Sequence, residues 1–208
     1  MANDKVADDE GASPAERVSG ACRDDNTDIL EEVLTEMEQA KKTNEEIAKF
    51  FNGVTDPLGN HALHICAMHG SCKLATMQQH SNPSYRTYKL IPLYLDHAAD
   101  FLFDIEFFEC DPKTRIEKET PLHLAARYAN DTSRYNSVRD AVTMIEMMCE
   151  AGCDPRVTNK RGETPARLPD MIPEEVRKAL KQAEYLLNEG LADNNESDEG
   201  GDSASDSE

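Results

Sequence analysis

Apolar residues recur every three to four positions along most of the chain, which is the period of a helix with one buried face. Ile29, Leu30, Val33, Leu34 and Met37 mark one such face, opened by a cap on Thr27 or Asp28. Val142, Ile145, Met148 and Cys149 mark another. Met144, Met147 and Met148 are expected to fill its core side, because a flexible thioether suits irregular gaps. Val176, Leu180, Ala183 and Leu187 mark a third, with Pro173 at its start and Gly190 after its end. A long helix is expected over about 89 to 108. Phe101, Phe103, Ile105 and Phe107 also alternate with a period of two, so an extended hairpin there stays open.

The chain repeats itself. Cys110-Asp111-Pro112 precedes Glu119-Thr120-Pro121, and Cys153-Asp154-Pro155 precedes Glu163-Thr164-Pro165, at offsets of 43 and 44 residues. The same unit, a turn followed by a Thr-Pro helix start, therefore occurs twice. The first copy continues as Leu122-His123-Leu124-Ala125-Ala126.

TPLHLAA at 120 to 126 closely resembles the ankyrin-repeat signature. Thr120 is placed to cap the helix and Pro121 suits its first turn, where a missing N–H costs nothing. Leu122, Leu124, Ala125 and Ala126 are expected to pack inward. The resemblance implies that His123 ties the cap to adjacent backbone. Residues 59 to 70, GNHALHICAMHG, are similar to the same signature, with His64 at the histidine position and His61-Ala62 in place of Thr-Pro. A third copy, NKRGETPARL at 159 to 168, has Arg167 where the histidine would be and Pro169 close behind. Residues 20 to 37 fit an N-terminal capping repeat.

The implied fold is all-α: a solenoid of helix pairs with β-hairpin fingers, about four repeats including degenerate caps. It covers residues 15–190, between a disordered N-terminus at 1–14 and a disordered acidic tail at 191–208. The spacing from His64 to His123 is 59 residues and from His123 to Arg167 is 44, against about 33 for a regular repeat. The excess is expected around 72 to 88 and 130 to 137.

Composition narrows the partners. The 208 residues carry a net charge of -19, which repels nucleic acid and anionic membrane. No apolar run approaches the roughly 18 residues that read as a bilayer span. The N-terminus lacks the basic-then-apolar order of a signal peptide. Six cysteines without a secretory signal are expected as reduced thiols, in the cytosol or nucleus.

The His- and Cys-rich stretch at 61 to 72 raises zinc. His61, Cys66, His69 and Cys72 form its best ligand set, but structural zinc usually takes two ligand pairs separated by a loop. Cys149 and Cys153 raise a redox pair, which wants an electropositive setting that this acidic chain lacks. No catalytic residues, metal, cofactor or small-molecule substrate are expected, and the chain is read as a non-enzyme.

Protein binding is the function the resemblance implies, through connector tips and first helices. The tips are placed at Thr55, Asp56, Leu58 and Asn60, then at Lys113, Thr114, Arg115 and Lys118. A third group holds Arg156, Thr158, Asn159, Lys160 and Arg161. Tyr128 and Tyr135 are candidate anchors, since tyrosine is enriched at interface hot spots. Ser203 and Ser205, each with an acidic residue three positions on, are candidate phosphorylation sites. The alternative is escort of a basic client such as a ribosomal protein or histone. Small acidic-tailed ankyrin proteins of fungi that escort a ribosomal protein are similar in size and layout.

Overall fold

The computed structural model describes residues 11–71, 98–131, 133, 136–169 and 172–196. Among them are α1 (Pro14–Asp24), α2 (Thr27–Gln39), α3 (Asn44–Gly53), α4 (Ala62–His69), α5 (Ala98–Phe103), α6 (Pro121–Tyr128), α7 (Ser137–Glu150) and α8 (Glu174–Glu196), with a 3-10 turn at Pro165–Arg167. No strand forms among the described residues; a lone antiparallel bridge joins Thr55 to His61.

Local chemistry sets the helix starts. Ser13 and Glu16 form a reciprocal capping box: the Ser13 hydroxyl accepts the Glu16 N–H at 3.3 Å and the Glu16 carboxylate accepts the Ser13 N–H at 2.8 Å. Pro14 fills the first helical position. Thr43 and Glu46 repeat the device at the start of α3. The cap of α2 falls one residue earlier than expected, on Asn26, whose side-chain oxygen accepts the Ile29 N–H at 3.4 Å.

The helices form two rows. α1, α4, α6 and the 3-10 turn follow one another as neighbours, and each packs on its own partner behind it: α2, α5, α7 and α8 respectively. Small buried residues at Ala21, Ala67, Ala125, Ala126 and Ala166 let the front row approach closely. Leu30, Leu63, Leu102, Leu122, Met144, Met148 and Leu180 fill one continuous core between the rows. Met147 is 9% exposed, so all three α7 methionines serve the core as expected. Leu124 is only half-buried.

Four details differ from the sequence reading. α3 was not expected; it braces the chain after α5, where Asn52 bonds the Phe107 carbonyl at 3.1 Å and the Glu109 N–H at 2.9 Å. The helix expected over 89 to 108 ends at Phe103, and residues 89–97 lie outside the described residues. The period-two alternation after Phe101 makes no strand: the chain turns, and Phe107 has a φ of 64° with its ring exposed. α8 continues through Gly190 to Glu196 instead of stopping at the glycine. The third signature copy is cut short as Pro169 close behind it predicts: it yields only a 3-10 turn, with Leu168 in extended backbone ahead of the proline.

Candidate functional site

Three connectors precede α4, α6 and the 3-10 turn, and they share one construction. In the first, the Asp56 N–H reaches the Asn60 carbonyl at 2.9 Å, while the Asp56 carboxylate accepts the N–H groups of Leu58 and Asn60 at 2.8 and 2.9 Å. In the third, Asn159 takes the same post: its N–H reaches the Glu163 carbonyl at 2.9 Å and its side-chain oxygen accepts from Arg161 and Glu163 at 2.9 and 3.0 Å. Such short side chains replace backbone partners in tight turns. The middle connector is one residue longer and uses Thr114, whose N–H and hydroxyl pair with the Glu119 carbonyl and N–H, both at 2.9 Å. Burial raises the Asp56 carboxyl, but the hydrogen bonds from Asn60, Leu58 and Gly59 outweigh it and hold the group below its usual range.

Two histidines lock α4 and α6 to the connector that follows each. His64 Nδ1 accepts the His61 N–H at 3.2 Å, and its Nε2 lies 2.9 Å from the Glu119 carbonyl. His123 does the same one repeat on: Nδ1 accepts from the Thr120 N–H and hydroxyl at 3.1 and 2.9 Å, and Nε2 meets the Glu163 carbonyl at 3.0 Å. An Nδ1 that accepts and an Nε2 that donates require the neutral Nε2–H tautomer. Burial enforces neutrality, pushing His64 down to about 4 and His123 downward as well. Thr120 therefore serves the start of α6 through His123.

The connectors stack side by side. The Lys160 N–H bonds the Glu117 carbonyl at 2.8 Å, and the Asp154 N–H bonds the Asp111 carboxylate at 2.9 Å. Gly59 lies against the Arg115 side chain. Their tips share one exposed rim, on which Leu58 is 72% and Ile116 67% exposed.

A family model of the ankyrin repeat matches residues 117–160, from inside the middle connector to inside the third. The chain is also 30% identical over 194 residues to the ankyrin repeat-containing protein YGL242C of Saccharomyces cerevisiae, covering 91% of this chain and 90% of that protein. The chain belongs to the ankyrin-repeat family. Ankyrin repeats mediate protein–protein interaction.

Lys113, Arg115, Lys118, Lys160 and Arg161 are exposed on the ankyrin connectors. Lys113 Nζ reaches the Thr158 carbonyl at 3.5 Å, and Arg161 pairs with Glu163 at 3.0 Å. Arg156 is committed within the fold, to Asp154 at 2.8 Å and to Asn188 of α8 at 3.2 Å. Asn159 is buried in its turn, 5% exposed. Tyr128 is buried too, 5% exposed, with its ring over Gly70, so it packs between ankyrin helices and is not at the rim. Tyr135, Ser203 and Ser205 lie outside the described residues. Sequence reasoning passed over Ile116; its signal was a single apolar residue in the polar run KTRIEK at 113 to 118.

The His- and Cys-rich stretch resolves into repeat positions. His61 Nδ1 bonds the Asn52 carbonyl at 2.9 Å, tying α3 to α4, and both nitrogens of His64 are engaged. Cys66 is buried and Cys72 is outside the described residues. Among the described residues no three His, Cys, Asp or Glu side chains converge as a metal site would need. Burial, with nearby Asp111 and Asp154, pushes Cys149 up to about 12. Cys153 is raised by its hydrogen bond with Cys110 and by burial. Thiols held protonated in this way are poor nucleophiles.

Proposed function

We propose that the chain is a non-catalytic ankyrin adaptor that binds a protein partner through its connector tips and front-row helices. In this reading four repeats form the stack: α1/α2, α4/α5, α6/α7 and the degenerate pair of the 3-10 turn with α8. The connectors act as short hairpin fingers. The observation that carries the reading is the rim itself. Leu58 and Ile116 stand exposed on adjacent tips among Lys113, Arg115, Lys118 and Lys160. Single exposed apolar residues are ordinary, but two on neighbouring tips of a rigid stack make a contact pair. Covering both contributes about 1.5–3 kcal/mol each at most. The basic side chains set the partner's register and speed its encounter.

Affinity capture with the full chain tests this, compared with a Leu58→Asp/Ile116→Asp variant. A stoichiometric partner that is lost with the variant supports the rim. A partner retained at full yield removes the rim from the interface.

A second reading, escort of a basic client in the cytosol or nucleus, draws support from the net charge of -19 and from the seven acidic residues of 191–208. Deletion of residues 197–208 tests the tail's part. Equal affinity and equal salt dependence for a basic client, with and without those residues, would remove it.

A further inference from the structure

α3 opens a groove that the repeating helix pairs do not supply. It lies between α2, α3 and the C-terminal end of α5, with a volume of about 680 Å³. Its floor is apolar: Leu34 and Phe101 are half-buried, and Ile47 and Ile105 are buried beneath them. Its rim carries Glu31 and Glu38 from α2, and Asp104 and Glu106 beyond α5, with Asp100 further in. No lysine, arginine or histidine is among the described residues that line it.

The two flanks of α2 make the contrast. On the flank facing α1, Glu32 and Glu36 share Arg17, at 3.0 and 2.7 Å. On the groove flank, no ion pair to Glu31, Glu38, Asp104 or Glu106 forms among the described residues. Among the described residues, Glu106 takes a neutral hydrogen bond from the Asn44 amide, at 2.7 Å, and no ion pair. Carboxylates gathered around one concave apolar floor repel each other, and a cation from outside relieves that cost. The positions Thr27, Glu31, Leu34 and Glu38 run the length of α2, a stripe of roughly 16 Å or about three helical turns.

We propose that this groove docks a basic amphipathic segment of a partner protein, its apolar side chains covering the floor and its lysines or arginines facing the rim. An amphipathic helix laid in a groove is a recurrent recognition mode, and charge complementarity chooses its sign here. The site is separate from the connector rim and does not depend on it.

The test uses the full chain and a fluorescein-labelled Lys/Leu helical peptide of about 14 residues, followed by anisotropy at about 0.15 M salt. The wild type binds it, and Glu31→Gln/Glu38→Gln/Glu106→Gln weakens binding about tenfold or more. Glu174→Gln/Glu175→Gln/Glu189→Gln on α8 removes the same charge and changes affinity less than about twofold. Leu34→Ser weakens binding without altering charge, and a Lys/Ser peptide of equal charge binds at least about tenfold more weakly. Arg115→Glu/Lys118→Glu leaves the peptide bound, which separates this site from the rim. The proposal is overturned by no binding to the wild type, by equal loss in the groove and α8 variants, or by equal binding of the Lys/Ser peptide. Loss on deleting residues 197–208 with the groove variant unaffected overturns it too, since the peptide then lies on the tail.

Discussion

The imidazole of His64 lies 2.9 Å from the carbonyl of Glu119, 55 residues further along the chain. That contact joins one repeat to the connector of the next, and His123 repeats it on Glu163 at 3.0 Å. Replacing either histidine by alanine removes a buried donor and acceptor together and leaves a cavity. About 2–4 kcal/mol of stability is expected to be lost. Stability in a repeat stack depends on neighbour interfaces, so the urea transition of His64→Ala is also expected to broaden. A transition of unchanged midpoint and slope would contradict the role.

Acid should find the same residue. His64 is held at about 4 in the fold and titrates near its ordinary 6.5 when unfolded. Between those values the unfolded state binds more protons, so stability is full above about pH 6.5 and declines as pH falls toward 4. The decline attributable to His64 is about 3 kcal/mol. Urea midpoints measured from pH 7.5 downward check this; in His64→Ala the loss between pH 6.5 and 4 should be shallower.

Gly70 ends α4 at a φ of 68°, and a side chain there would overlap the hydroxyl and Cζ of Tyr128. Gly70→Ala therefore meets backbone strain and a collision at once, and about 2–4 kcal/mol of destabilisation is expected. Adding Tyr128→Phe should not rescue it, because the ring carbon obstructs as well as the hydroxyl. Recovery in the double variant, read by thermal melting, would place the obstruction in the hydroxyl alone.

Glu119 anchors a second link. Its side chain, 8% exposed, pairs with Arg127 at 2.8 Å, while its backbone holds Thr114 and His64. Arg127→Ala leaves a buried carboxylate without its cation, and about 2–3 kcal/mol of stability should be lost. Adding Glu119→Gln should restore part of that, because the uncompensated charge goes with it. A double-mutant cycle on unfolding free energies measures the pair.

Legibility followed how local each device is. TPLHLAA at 120 to 126 compresses cap, first turn, histidine clasp and small-residue face into seven positions, so α6 and the post of His123 could be read directly. His64 could be placed only by register with it, because His61-Ala62 lacks the Thr-Pro start. Arg167 stands where a third clasp would fall, and among the described residues no further connector follows it. α3 went unread although Thr43, Glu46, Ile47 and Phe51 carry its cap and buried face. It has no copy elsewhere in the chain, and self-comparison finds only what recurs. The basic members of the rim cluster in sequence and are legible there, as is Leu58 at a tip. The rim's apolar members, Leu58 and Ile116, lie on separate connectors that become neighbours only in the folded stack, where Gly59 meets the Arg115 side chain. Tyr128 shows the converse, an aromatic near a helix end that the neighbouring glycine draws inward.

Capture by the full chain, run in parallel with wild type, Leu58→Asp/Ile116→Asp and Glu174→Gln/Glu175→Gln/Glu189→Gln at matched folding stability, is the most direct test of the rim as the binding surface. The rim variant is expected to lose the stoichiometric partner while the α8 variant keeps it. A partner held equally by all three proteins would contradict the account.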